Sequence, residues 1–199
     1  MLNKFINTNY LDNTENLRKQ FKNIKPFPHL VLKDFFNREF IKKFKVELKK
    51  EIFHRLDSDL YSFSQTDDLV NSKNSVIKDF YNFLTSKEFK DYLFKITNVK
   101  AEGKIDCSGF IYSSTDYLLP HDDRLESRRL AYVLNLSENF VKSDGGSLDL
   151  FDRNNIVKSI VPSFNTLTIF RVEINKTFHQ VSEVLTNKER LSIAGWFND

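Results

Sequence analysis

The sequence predicts an α+β fold, with helices packed on one side of a double-stranded β-helix of the jelly-roll, cupin-like kind. In residues 1–100, apolar side chains recur at three- and four-residue spacings, as on the buried face of a helix. In residues 101–199, short runs rich in Ile, Val, Phe, Thr and Tyr alternate with turn residues. We therefore expect one domain over residues 1–199, with a mainly helical support region at 1–100 and the β-helix core at 101–199.

The helices of the support region are expected where a capping side chain precedes an apolar period. The first begins at Asn13 or Thr14 and stops at Pro26. The others are expected at residues 37–52, 75–84 and 87–96. A polar stretch at residues 57–68 separates the second of these helices from the third.

The strands are predicted from runs of β-branched and aromatic residues that end at turn residues. Gly145-Gly146 and residues 162–165 are the clearest turns. The predicted strands are residues 29–32, 105–112, 130–136, 147–151, 156–161, 166–172, 180–184 and 191–197.

Charge and composition argue against several classes of partner. The chain has 30 basic and 27 acidic residues, a net charge of +3, whereas nucleic-acid binding usually requires a concentrated basic excess. No apolar stretch is long enough to span a membrane, and the N-terminus lacks a secretion signal. Cys107 is the single cysteine, so we expect it to be a small buried residue on a strand. These features predict a reduced, soluble, cytoplasmic protein with no nucleic-acid or membrane partner.

The segment Pro120-His121-Asp122-Asp123 precedes a predicted strand. Residues i and i+2 of an extended segment point the same way, so His121 and Asp123 can bind one metal ion while Asp122 points elsewhere. His179, at the start of a later predicted strand, completes a set of two histidines and one carboxylate. Such a facial triad leaves adjacent coordination positions of Fe(II) open. Each residue alone has an ordinary structural explanation, and their combination favours a metal centre.

Arg190 opens the last predicted strand and adds a second kind of evidence. A 2-oxoacid and dioxygen can occupy the open positions of the iron. The distant carboxylate of the 2-oxoacid then needs a partner, and arginine offers a planar, bidentate one that lysine does not. Together with the triad, Arg190 predicts an Fe(II)- and 2-oxoglutarate-dependent oxygenase.

Three segments of the sequence resemble the catalytic domain of the ribosomal prolyl hydroxylases. These enzymes are 2-oxoglutarate oxygenases that hydroxylate a proline in a small-subunit ribosomal protein. The segments are residues 121–130 (HDDRLESRRL), 178–184 (FHQVSEV) and 190–197 (RLSIAGWF). The resemblance extends to residues 26–29 and 59–69 and thus covers nearly the whole chain. It implies Fe(II), 2-oxoglutarate and dioxygen, with ascorbate as an accessory cofactor, and a proline-containing protein or peptide as substrate.

The resemblance also implies roles for three further residues. Tyr112 matches a tyrosine that binds the carboxylate of 2-oxoglutarate beside the arginine, and a phenol can donate such a hydrogen bond. Gln65 and Asp67 lie in a segment that resembles one over the active-site entrance, where they could contact a peptide. The alternative for Tyr112 is a half-buried structural tyrosine. The alternative for Gln65 and Asp67 is a solvated loop without a role in binding. Two departures accompany the resemblance: eukaryotic members carry a tyrosine at the position of Asn135, and they continue into a second, non-catalytic barrel domain.

Three functions remain open on the sequence. The leading one is prolyl hydroxylation of a protein. The same metal centre could instead hydroxylate another residue or a small molecule. A catalytically silent binding module on the same fold is the third, and the presence of all four key residues, His121, Asp123, His179 and Arg190, argues against it.

Overall fold

The α-helices of the described residues lie in the first half of the chain and cover one face of a curled sheet. The computed structural model describes residues 2–199. Asn37 caps the helix that follows it, since its side chain accepts hydrogen bonds from the backbone N–H groups of Glu39 and Phe40. The helices are α1 (Leu2–Phe5), α2 (Thr8–Leu11), α3 (Thr14–Asn23), α4 (Arg38–Leu48), α5 (Ser75–Thr85) and α6 (Lys87–Thr97).

The sheet contains eleven antiparallel strands in the described residues 2–199, and it curls into a barrel-like double-stranded β-helix. Its order is β1-β9-β6-β11-β4-β3-β5-β10-β7-β8, with β2 paired only to β3. The strands are β1 (His29–Leu32), β2 (Phe53–Ser58), β3 (Tyr61–Thr66), β4 (Ile105–Tyr112), β5 (Tyr117–His121), β6 (Arg128–Asn135), β7 (Leu148–Asp152), β8 (Asn155–Ile160), β9 (Thr166–Arg171), β10 (His179–Val181) and β11 (Arg190–Asn198).

Successive side chains along a strand point to opposite faces of the sheet, so the two faces contribute to two separate hydrophobic clusters. On β6, Leu130, Tyr132 and Leu134 pack in the core beneath the helices, while Ala131 packs in a second cluster inside the barrel. The core under the helices is rich in phenylalanine, with ring contacts such as that between Phe44 and Phe80, whose centroids are 4.4 Å apart. This packing leaves the inner face of the sheet free to line a site.

The predicted α+β class and β-helix core are confirmed, and the turn at Gly145-Gly146 is present with positive φ at both glycines. Cys107 is buried on β4, as expected. None of the helices in residues 2–199 is both long and apolar enough to cross a membrane.

Four elements were not predicted: α1, α2, β5 and the hairpin of β2 and β3. Most of the polar stretch at residues 57–68 pairs within the hairpin from Phe53 to Thr66, so the alternative of a solvated loop does not hold for it. Most of β2 is exposed, so it lacks the alternation that identifies a half-buried strand. The helix predicted at residues 37–52 ends at Leu48, and Ile52 is exposed.

Candidate metal centre and cosubstrate pocket

A cavity of about 270 Å³ lies inside the barrel, and most of the residues singled out in the sequence line its wall. The central strand β11 follows the cavity from Arg190 at one end to Trp196 at the other. Arg128 stacks on Trp196 and lies 3.6 Å from Asp123, which places the acidic residue near the Trp196 end. The wall thus has two chemically different ends.

The first end holds the residues expected to bind a metal. One ligand atom from each of His121, Asp123 and His179 can be chosen so that all lie within 4.8 Å of one another. The two histidines are direct partners in the pairing of β5 and β10, and their ring centroids are 4.2 Å apart. Asp123 lies just beyond the end of β5, with its carboxylate oxygens 4.0 Å from Nε2 of His121 and 3.8 Å from Nε2 of His179.

Backbone carbonyls orient both imidazole rings in the same way. Nδ1–H of His121 donates to the carbonyl of Leu119 at 2.9 Å, and Nδ1–H of His179 donates to that of Thr177 at 2.9 Å. Because a carbonyl only accepts, Nε2 of each neutral ring keeps its lone pair for a metal. Burial, with His121 nearby, lowers the pKa of His179 and favours this neutral form.

The donor set fits a divalent transition metal. Oδ2 of Asp123 is buried and has no hydrogen-bond partner in residues 2–199. A buried, unpaired carboxylate oxygen is costly unless a cation or donor meets it. Two imidazoles and one carboxylate suit Fe(II), and in the described residues these three form the group able to hold such an ion.

The second end holds a buried positive charge. Arg190 is 1% exposed; it donates from Nη1 to Oγ of Ser192 at 3.1 Å and lies over the ring of Tyr112. Its Nε has no hydrogen-bond partner in residues 2–199, and burial lowers its pKa, opposed by Tyr112 and by no carboxylate of the described residues. Since an uncompensated buried charge is strongly unfavourable, this arrangement fits an anionic ligand such as a carboxylate.

Tyr112 can serve as a neutral donor beside that charge. It is the cross-strand partner of Arg190 between β4 and β11. Burial raises the pKa of its phenol to about 12, so the O–H group remains protonated near neutral pH. Asn135, whose position pairs with Ser192, is fully buried with both amide atoms unpaired in the described chain, as are the hydroxyls of Thr166 and Thr168. This end of the barrel is therefore unusually polar.

The sequence profile of the 2OG-Fe(II) oxygenase superfamily matches residues 107–198. The chain belongs to this superfamily. Prolyl 3-hydroxylase OGFOD1 of Xenopus laevis is 46% identical over 181 residues, covering 87% of this chain and 35% of the relative. Prolyl 3,4-dihydroxylase OGFOD1 of Ostreococcus tauri is 33% identical over 198 residues, covering 88% of this chain and 38% of the relative. The chain thus spans about a third of the length of the curated relatives it matches.

Solved structures with little sequence identity share the fold. A Pseudomonas putida prolyl-4-hydroxylase superposes with a TM-score of 0.73 at 16% identity, covering 94% of this chain and 98% of that one. A Trichoplax adhaerens prolyl hydroxylase, in complex with a hypoxia inducible factor oxygen degradation domain peptide fragment, superposes with a TM-score of 0.76 at 15% identity. The match covers 97% of this chain and 94% of that one. Membership of the superfamily implies Fe(II), 2-oxoglutarate and dioxygen.

The two residues expected to contact substrate are separated in this structure. Gln65 lies on β3, pairs with Phe110 of β4 and lines the cavity. Asp67 follows the end of β3, is 87% exposed at its side chain, and lies 3.9 Å from Nε2 of His54. The structure brings Gln65 to the cavity and leaves Asp67 outside its wall, because the strand that alternates inward stops at Thr66.

Among the cavity residues to which the sequence assigned no role are Arg128, Ser192 and Trp196. Ser192 and Trp196 follow Arg190 at even spacing on β11 and therefore share its inward face. This period of two could have identified both. Arg128 gave no comparable signal, because its position depends on stacking with Trp196 from a distant strand.

Proposed function

We propose that this chain is an Fe(II)- and 2-oxoglutarate-dependent prolyl hydroxylase that acts on a protein or peptide. The observation that carries the proposal is a His-Asp-His group, with Asp123 and His179 buried, that shares one cavity with Arg190, a buried cation without a carboxylate partner in residues 2–199. The names of the relatives, prolyl 3-hydroxylase and prolyl 3,4-dihydroxylase, support proline as the residue modified. Residues 1–199 would act as one catalytic domain, since a single core joins Phe5 of the first helix to Phe197 of the last strand.

Each cavity residue has a defined part in this function. His121, Asp123 and His179 would hold the metal through Nε2, a carboxylate oxygen and Nε2. Arg190 would pair with the distant carboxylate of 2-oxoglutarate, with Tyr112 donating a further hydrogen bond. When bound, the metal, 2-oxoglutarate and dioxygen supply the oxidation that installs the hydroxyl group and yields succinate and carbon dioxide.

The cavity wall suggests how a peptide would approach. The side chain of His121 is 31% exposed, so the metal end of the cavity is reachable from solvent. Gln65 faces the cavity from β3 and can pair with a peptide backbone, because its amide both donates and accepts hydrogen bonds. The resemblance to the ribosomal prolyl hydroxylases supports a proline-bearing segment of a small-subunit ribosomal protein as substrate.

Mass spectrometry of the substrate tests the proposal. Incubation with Fe(II), 2-oxoglutarate and a proline-bearing peptide from a small-subunit ribosomal protein should add one oxygen to proline and raise succinate above its peptide-free level. His179→Ala should abolish both signals, because it removes one of three protein ligands. A matched control is His54→Ala, which changes an exposed histidine of the hairpin.

Two results would contradict parts of the proposal. Turnover could be stimulated by a free amino acid or metabolite and by no ribosomal peptide or intact ribosomal subunit. That result would reject a protein as the substrate, and the proposed oxygenase chemistry would remain. Equal turnover by His179→Ala and the unchanged chain would reject the metal centre itself.

A further inference from the structure

The segments that carry the three expected metal ligands are weakly joined by their backbones. Strands β5 and β10 pair only at His121 with His179 and at Leu118 with Val181, with a bulge between the two pairs. Beyond His121 the chain leaves the strand, so Asp123 has no place in this ladder. Backbone pairing alone therefore does not fix Asp123 against the segment that carries His179.

The side chain of Asp122 joins these segments directly. Its Oδ2 accepts a hydrogen bond of 2.6 Å from the backbone N–H of Asn175, 53 residues later in the sequence. Its Oδ1 accepts one of 2.6 Å from Nε of Arg124. The side chain is 2% exposed, so water competes little for either bond. With both oxygens occupied by N–H donors, Asp122 is not a fourth metal ligand.

From Asn175 the connection continues to the imidazole of His179. Asn175 has a left-handed backbone conformation within a turn in which the N–H groups of Lys176 and Thr177 both donate to the carbonyl of Glu173. The hydroxyl of Thr177 accepts from the N–H of Glu173, and the carbonyl of Thr177 accepts from Nδ1–H of His179. A displacement of this turn would therefore move the ring of His179.

We infer that Asp122 is a positioning residue: it sets the metal affinity of the site by holding the segment of His121 and Asp123 against the turn that orients His179. The inference rests on the proposed function only in taking these three residues as metal ligands. It adds a role to the sequence-based prediction that Asp122 points away from the metal. Hydrogen-bond partners of metal-binding segments commonly change affinity by 10- to 100-fold when removed.

Titration of the full chain with Mn(II), followed by the electron paramagnetic resonance of the free ion, tests the inference without turnover. Asp122→Ala should weaken Mn(II) binding on the order of 10-fold or more. Asp122→Asn keeps an oxygen that can accept from Asn175, so it should recover most of this loss. Glu126→Ala is the matched control, because it removes an exposed carboxylate of the same loop that forms no ion pair in residues 2–199. The Mn(II) affinity of this variant should stay within about twofold of that of the unchanged chain.

Thermal unfolding with and without Mn(II) separates positioning from general stability. A merely structural Asp122 would lower the unfolding temperature equally in both conditions and leave the Mn(II) affinity of the folded chain unchanged, which would overturn the inference. An Asp122→Asn chain that folds and binds as weakly as Asp122→Ala would overturn the role of the Asn175 bond. His179→Ala gives the baseline: if the unchanged chain binds no better than this variant, the metal centre fails and the inference fails with it.

Discussion

Arg190 is the residue whose surroundings are least complete without a ligand. Its guanidinium lies within the barrel with Ser192 as its hydrogen-bond partner, and no carboxylate of residues 2–199 balances its charge. A buried charge of this kind destabilises a protein until a counter-charge arrives. A dicarboxylate that reaches from the metal end to Arg190 would supply it, so cosubstrate binding should stabilise the fold as well as prepare the reaction.

Replacing Arg190 by lysine should weaken 2-oxoglutarate binding, although the charge is kept. A point charge replaces a bidentate fork, and loss of a hydrogen bond to a charged group costs about 1.5–3 kcal/mol. The expected effect is a rise of roughly 10- to 100-fold in the dissociation constant measured by calorimetry. Arg171→Lys, on the exposed end of β9, is the control and should bind normally. An Arg190→Lys chain of unchanged affinity would remove this residue from the pocket.

The hairpin of β2 and β3 is joined to the rest of the sheet by a short ladder and by one ion pair. β3 pairs with two residues of β4 and two of β5, and most of β2 is exposed. Arg55 of β2 forms a bidentate contact with the buried Asp116, at 2.8 Å and 2.7 Å. Asp116 also accepts from Ser62 and from the N–H of Ser113, and these partners outweigh burial to hold the pKa of Asp116 below its ordinary value.

Arg55→Leu should loosen the hairpin without unfolding the barrel. The expected result is faster hydrogen exchange of the backbone amides from Phe53 to Thr66, with unchanged protection in β11. The control is Arg38→Leu on α4. It breaks an exposed ion pair with Asp34 and should leave the hairpin unaffected. If hairpin exchange is the same in Arg55→Leu and the unchanged chain, the strand pairings alone hold this element.

At the scale of the whole molecule, the two ends of the sheet meet. β1 and β8 are the first and last strands of the sheet order, and Lys158 of β8 donates to Nε2 of His29 of β1 at 2.9 Å. Nδ1–H of His29 donates to the carbonyl of Phe27, so the ring is neutral in this arrangement. Burial, with the charge of Lys158, lowers the pKa of His29 from its ordinary value of 6.5.

This contact predicts a loss of stability in mild acid. The unfolded chain takes up a proton on His29 near its ordinary pKa, while the folded chain does so only at lower pH, so the free energy of unfolding falls as the pH drops below about 6.5. His29→Gln should flatten the stability profile between about pH 7 and pH 5, as measured by denaturant unfolding. His54→Gln is the control and keeps His29 and His179. An unchanged slope in His29→Gln would show that other groups cause the dependence.

The sequence predicts elements well where local alternation carries the information. The bounds predicted for residues 105–112 are those of β4, and the spacing of His121 and Asp123 places both side chains at one metal-sized site because an extended segment repeats every two residues. The hairpin was missed because β2 is mostly exposed and its side-chain contacts are distant in sequence, as with Arg55 and Asp116, 61 residues later. The place of Arg128 beside Trp196 likewise follows from tertiary stacking that no local pattern encodes.

The position of β11 has a consequence for how the protein forms during synthesis. This strand lies between β4 and β6 in the middle of the sheet, yet every other strand precedes it in the sequence. Until residues 190–198 emerge from the ribosome, β4 and β6 cannot obtain their shared partner, and the unpaired backbone groups on their edges stay open to wrong pairings. Long-range pairing of this kind folds slowly. A nascent chain therefore gains its closed sheet and Arg190 in the same step, which makes ability to hold the cosubstrate a late sign of correct folding.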